Sequence, residues 1–441
     1  MAQRVFVPAP PFPAAYGRAA MFALGLGVFG GFASGLYALG VLAFGWPAQV
    51  FGPLVQAHGQ VQILGFAGLL ILGVGGLLLP GFWRAKFLHP EALSLGGMLV
   101  GLGLVAQLIG QPLGAGPVRT ILLSIAALLP PLGFTWAGVH LARARPQTAG
   151  RLAPWEILML VGAASLLAAL LVRAIILVSL AASGLPASYG VLQQLLVTLE
   201  LEGFLLAATI GVQVRLLPGL ARTRPISGRA ELIGIAVLIL GIVVRGAGIG
   251  LVQPDLAVIG SWLIAIASAV LFWVLGLGRS GVPPTVQAPA TLLPGRTRVV
   301  LRIAWAGLLA SVFGRASGLL TNDAAIHAFT TVYLTPLIVV VGIRMLPRVS
   351  AYPVRFPRLS GALVWAGVVG GILRAFGGMV GGIPGEQAGA AAGAQTSWLG
   401  GLLLTAILLV FAALAWSPWG VPTGVPRTPE AIQAHRGTSP K

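Results

Sequence analysis

Polar residues are rare along this chain and punctuate it at regular intervals. Between them lie apolar stretches of about 20–30 residues, each long enough to cross a bilayer core as a helix. Twelve such spans can be drawn, over about 17–43, 52–80, 92–111, 118–142, 154–182, 191–218, 230–252, 255–277, 299–320, 323–347, 360–383 and 396–417. Residues 1–16 read as a Pro-rich cytoplasmic lead-in, 17–417 as one transmembrane domain, and 418–441 as a disordered cytoplasmic tail rich in Pro, Thr and Gly. The expected fold class is all-α, a polytopic membrane protein of 12 transmembrane helices.

The loops test this division independently. Taken alternately, one set is basic: Arg84 and Lys86; Arg143, Arg145 and Arg151; Arg222, Arg224 and Arg229; Arg279, Arg296 and Arg298; Arg348, Arg355 and Arg358. The other set is nearly bare, with Arg119 at one turn. A missed or invented span would break the alternation from that point on. The positive-inside rule then puts both termini in the cytoplasm, as expected for a multi-pass protein of the bacterial inner membrane.

A coarser period is also visible. Spans two, six and ten end in Leu79-Pro80, Leu217-Pro218 and Leu346-Pro347. Proline just past a helix end is a common stop signal, but three matches four spans apart point to three pseudo-symmetric four-helix units.

Composition changes the picture only in part. The 441 residues are 57% apolar and 8% charged, with mean hydropathy +0.96, which excludes an ordinary soluble protein. Net charge of +18 would suggest nucleic acid in a soluble chain. Here the arginines sit mostly in short loops, so they are topology signals and no nucleic-acid partner is expected. Absence of cysteine excludes disulfides, thiolate-bound metals and iron–sulfur clusters.

Chemistry concentrates near the outer ends of a few spans. His58 lies in Gln56-Ala57-His58-Gly59-Gln60-Val61-Gln62, and His327 in Asn322-Asp323-Ala324-Ala325-Ile326-His327. His58 precedes Pro80 by 22 residues and His327 precedes Pro347 by 20. At about 1.5 Å per residue the two sit at similar depth, roughly 33 Å and 30 Å from those prolines. Intramembrane ionisable groups face the protein interior or a cavity. Two readings stand side by side: interhelical hydrogen bonds, or imidazole ligation of haem iron or copper. On the second reading Gln60 or Gln62 orients the His58 ring. The matching part of span six carries Glu200 and Glu202, either proton carriers or rim carboxylates paired with arginine. Arg173, Arg245, Arg315 and Arg374 fall in the outer halves of spans five, seven, nine and eleven, against the topology rule. Each needs a negative partner, either a protein carboxylate or a haem propionate.

Spans two and ten, with Ala57-His58-Gly59-Gln60, Leu64-Gly65-Phe66-Ala67-Gly68, Asp323-Ala324-Ala325-Ile326-His327-Ala328-Phe329-Thr330 and Gly342-Ile343-Arg344-Met345-Leu346-Pro347, carry a family resemblance. The general plan looks like the catalytic subunit of haem–copper oxidases, which binds a low-spin haem between helices two and ten. The chain resembles more closely the NnrS family, twelve-span bacterial proteins associated with nitric oxide metabolism and described as haem- and copper-containing. The resemblance implies haem b near the outer leaflet, His58 and His327 as its axial and metal ligands, and a partner in nitric oxide or a redox protein. It also brings copper, against which stands Gln60 in the place where related sequences carry a second histidine. The oxidase copper ligands and a third haem ligand are missing, so oxygen reduction is not implied.

The expected function is therefore an NnrS-like haem protein of the nitric oxide response or nitrogen-oxide handling. The alternatives are a transporter or channel without a prosthetic group, and an assembly scaffold whose histidines only hydrogen-bond. Whether the chain is an enzyme, and its oligomeric state, stay open at this level.

Overall fold

The computed structural model describes residues 25–83, 85, 89–146, 150–183, 190–220, 223, 228–279, 294–350, 357–380 and 387–420. The expected N-terminal lead-in and almost all of the expected tail lie outside them. Among the described residues the structure is helical and has no strand.

The helices are α1 (Leu26–Phe32, then Ala33–Phe44), α2 (Phe51–Trp83), α3 (Pro90–Gly110), α4 (Pro117–Ala142), α5 (Pro154–Ser183), α6 (Val191–Leu220), α7 (Arg229–Gly250), α8 (Pro254–Val274), α9 (Pro294–Ala316), α10 (Asn322–Ser350), α11 (Pro357–Val380) and α12 (Gln387–Gly420). Ten of these are long and apolar enough to cross a membrane; α1 and α11 contain shorter apolar stretches, Gly30–Phe44 and Gly361–Gly377. The chain is a polytopic membrane protein in that sense.

Local chemistry sets the boundaries. Proline opens α3, α4, α5, α8, α9 and α11, where its missing N–H costs nothing and its fixed φ suits the first turn. Gly318 (φ +72°) turns the chain out of α9; a side chain there would be strained. Thr321 then caps α10, its Oγ1 accepting from the Ala324 N–H at 3.2 Å. Helix α12 begins at Gln387, earlier than hydropathy suggests, because residues 388–394 are mostly alanine, and alanine favours helix more than it favours lipid. The Leu-Pro pairs fall within the last turns and not beyond them: the helices run on to Trp83, Leu220 and Ser350.

Three helices form the centre. Within their most apolar windows α2, α6 and α10 are 88%, 78% and 72% buried, against 39–56% for the other membrane-length helices. Around them the outer helices close a ring in the order α1, α3, α4, α5, α7, α8, α9, α11, α12 and back to α1, each touching the next. The hairpins α3–α4, α7–α8 and α11–α12 are the most extensive contacts. Small residues let their backbones approach: a Cβ added at Gly96 would lie 2.6 Å from the Gly133 carbonyl, and one at Gly241 would lie 2.8 Å from the Ile264 nitrogen. The ring's outward face is apolar, with Leu128, Leu171, Ile233, Val243 and Ile259 all exposed. So large an apolar surface faces lipid.

Each central helix is wound wide over one stretch, with π-type turns at Val61–Gly68, Leu199–Leu206 and Ala328–Leu334. Measured to the Leu-Pro proline, Val61 to Pro80, Leu199 to Pro218 and Ala328 to Pro347 are each 19 residues. That register aligns His327 with Gln60, two residues from His58. A fourth wide stretch, Leu26–Phe32, lies in α1 against the one in α2. Such widened turns are rare and concentrate at functional sites.

Candidate functional site

Many of the polar residues buried in this bundle, Ser34, Gln60, Gln111, Arg173, Glu200 and Glu202 among them, lie towards the helix ends that carry His58 and His327. His58 is placed by α1. Gly27, Gly31 and Gly35 recur every four residues and form a groove along that helix. Phe66, Gln62 and His58, also four apart, fill it from α2: an added Cβ on any of the three glycines would overlap the facing side chain. At Gly35 the overlap is with the imidazole, 2.6 Å from Cε1, 3.1 Å from Nδ1 and 3.2 Å from Nε2. His58 Nδ1 lies 2.5 Å from the Gly31 carbonyl and 3.3 Å from Ser34 Oγ. Ser34 Oγ donates to the carbonyls of Gly30 and Gly31 at 2.5 and 2.8 Å. Gln62 Nε2 reaches only the Gly27 carbonyl, at 3.4 Å.

His327 is placed by its own helix. Its Nδ1 lies 2.8 Å from the Asp323 carbonyl and 3.2 Å from the Asp323 carboxylate. Asp323 also pairs with Arg374 of α11 at 3.4 Å, at an exposed rim. His58 is electrostatically coupled to His327, Arg374 and Asp323, so the two histidines share one side of the bundle. A backbone carbonyl beside each Nδ1 makes that nitrogen a donor, so in a neutral ring the lone pair lies on Nε2.

Gln60 turns away from His58 and towards α6, donating from Nε2 to Glu200 at 2.9 Å. Both side chains are buried, and among the described residues Gln60 Oε1 and Glu200 Oε1 have no hydrogen-bond partner. Arg173 of α5 is fully buried and electrostatically coupled to Glu200. It donates to the Ala126 carbonyl at 2.7 Å and to Gln107 at 2.5 Å. Gln107 donates to Gln111 at 2.8 Å, and Gln111 to Gln56 at 2.6 Å. A hydrogen-bonded chain therefore leaves α2 at Gln56 and crosses α3 to Arg173, while Gln60 and Glu200 form a buried pair beside it.

Glu202, the other carboxylate of α6, points elsewhere, as residues two apart on a helix must. It receives Arg315 of α9 at 2.8 Å and has Arg245 of α7 at 2.8 Å from its second oxygen. The Arg245 contact is off the hydrogen-bonding line. Arg245 also donates to Ser261 of α8, which in turn donates to the Ala257 carbonyl at 2.7 Å.

The candidates thus separate into three groups: His58, His327 and Arg374; Gln60, Glu200 and Arg173; Glu202, Arg245 and Arg315. Each arginine has a partner within the protein. Among the described residues no three His, Cys, Asp or Glu side chains converge as a metal cage. A bare copper ion therefore lacks a ligand set there. A haem iron is a different case, because the macrocycle supplies four nitrogens and the protein one or two axial ligands. Two neutral imidazoles with their lone pairs on Nε2 match that donor requirement.

The sequence reading missed several members. Gln107 and Gln111 were visible as a polar i, i+4 pair inside an apolar span. Ser34 and the glycine groove were visible as the Gly27, Gly31, Gly35 period. A second buried network lies deeper: Trp305 Nε1 donates to Gln213 at 2.7 Å, Gln213 Nε2 donates to Tyr333 Oη at 2.7 Å, and Thr209 Oγ1 lies 3.2 Å from Tyr333. It ties α9, α6 and α10 together, and Gln213 was its only sequence signal.

No family model matches the chain, and no curated protein matches it.

Proposed function

We propose that the chain is a twelve-span inner-membrane protein, with both termini cytoplasmic, that holds haem b near the outer leaflet between α2 and α10. His58 and His327 would be the axial ligands. The observation that carries this reading is the pairing of both Nδ1 atoms with backbone carbonyls, the arrangement that suits a neutral imidazole ligating iron through Nε2. Three buried central helices, four apart, with equally registered wide turns, support a plan of three four-helix units. The loop charges support the orientation. Resemblance to the NnrS family supplies the class of function, nitric oxide response or nitrogen-oxide handling.

Haem would supply a one-electron couple and a site for a diatomic gas. The chain's residues define the rest. Gly31 and Gly35 hold the His58 ring in one plane, and Ser34 stiffens the carbonyl that orients it. Among the described residues His327 is held by its own helix turn and a rim carboxylate, so it would hold the group less firmly than His58. Gln60, expected beside His58, serves Glu200 instead.

A second reading has its own observation. Arg173, Arg245, Arg315 and Arg374 are all engaged by protein groups. Each already meets a protein group without a propionate, as suits a transporter or channel without a prosthetic group. A reduced-minus-oxidised visible spectrum of the purified protein separates the two: a haem b band supports the first, and a colourless preparation from haem-replete cells supports the second.

A further inference from the structure

The Glu202 cluster stands apart from the histidines, on α6, α7, α8 and α9, and plays no part in the proposed haem site. Its charges do not balance. Two guanidinium groups face one carboxylate, leaving one positive charge where the side chains of Arg245 and Arg315 are only 13% and 12% exposed. The donors do not balance either. Each guanidinium carries five N–H groups. Arg315 places one nitrogen on Glu202, and its buried Nε has no hydrogen-bond partner among the described residues. Arg245 spends one nitrogen on Ser261, and its Nε faces Glu202 without alignment.

An uncompensated charge in a low-dielectric site is costly. One further monovalent anion removes both deficits, provided that it is planar and carries two oxygens that a guanidinium fork can grip. Arg315 is one residue from the end of α9 and Arg245 five from the end of α7, so the cluster lies within two turns of that face of the bundle. A solute reaching that face has a short way to go. We infer that Arg245 and Arg315, bridged by Glu202, form a binding site for a small monovalent carboxylate or planar oxyanion drawn from solution.

The test uses full-length protein in a non-ionic detergent, titrated calorimetrically with sodium acetate at constant ionic strength. Acetamide, of the same shape without the charge, is the control. Saturable binding of acetate near one equivalent, with none of acetamide, is the expected result. Arg315→Gln, checked for a monodisperse elution profile, should weaken acetate binding about tenfold or more by removing a charge-assisted pair, and Arg315→Lys should recover part of it. His58→Ala should bind acetate as the parent does, which separates this site from the haem proposal. Non-saturable uptake, equal response to acetamide, or unchanged affinity in a folded Arg315→Gln protein would overturn the inference. If Arg315→Gln does not fold, the parent's acetate–acetamide comparison decides alone.

Discussion

Substitution of Gly35 by alanine tests how His58 is held. The new Cβ would lie 2.6 Å from the imidazole Cε1, where carbon atoms rest at about 3.5–4.0 Å. The ring must therefore retreat by about 1 Å. That stretches the Nδ1 contact with the Gly31 carbonyl from 2.5 Å to the limit at which a hydrogen bond counts. Loss of that bond costs about 1 kcal/mol, and overpacking adds roughly 1–3 kcal/mol. Better helix propensity returns at most about 1 kcal/mol. The net loss is about 1–3 kcal/mol, and the Nε2 atom is displaced with the ring. Gly59→Ala is the control, because an added Cβ there meets nothing within 4 Å. Thermal unfolding of the detergent-purified protein, followed by tryptophan fluorescence, should place Gly35→Ala clearly below Gly59→Ala, and its visible band should be weakened or shifted. Equal melting of the two variants with unchanged spectra would refute the argument that α1 positions His58.

The other predictions concern different parts of the bundle. Gln213→Leu leaves the buried Trp305 Nε1 without its acceptor and takes from Tyr333 Oη one of its two partners, and should cost about 1–3 kcal/mol, more than Tyr333→Phe in the same melting assay. Glu156→Ala removes the acceptor shared by Trp83, Arg145 and the Ala153 N–H, and should lower stability by about 1–3 kcal/mol without touching the visible spectrum. The natural chain lacks cysteine, so single cysteines report topology cleanly. Ala48→Cys should react with a membrane-impermeant maleimide added outside whole cells, and Arg151→Cys only after permeabilisation.

Much of the architecture can be read from residue order, because lipid imposes a simple rule: apolar runs of fixed length and charge on alternate loops. Leu79-Pro80, Leu217-Pro218 and Leu346-Pro347 pointed to α2, α6 and α10, the three helices the bundle buries. The wide turns at Val61, Leu199 and Ala328 were not legible, since they follow from packing at the centre and leave no compositional mark. Partner choice was legible only in part. Arg245, Arg315 and Arg374 could be seen to need anions, and Glu202 and Asp323 were among those available. Which anion went to which arginine depends on the rotation of each helix, which apolar periodicity defines poorly when lipid and protein interior are both apolar. Gln60 shows the limit best: two residues from His58 in sequence, it faces the other way and serves Glu200.

The haem site itself is tested most directly by the reduced-minus-oxidised visible spectrum of the purified protein beside His58→Ala and His327→Ala. A haem b band in the parent that is lost or converted in both variants is the predicted result. A parent without haem from haem-replete cells, or a full unshifted band in both folded variants, would contradict it.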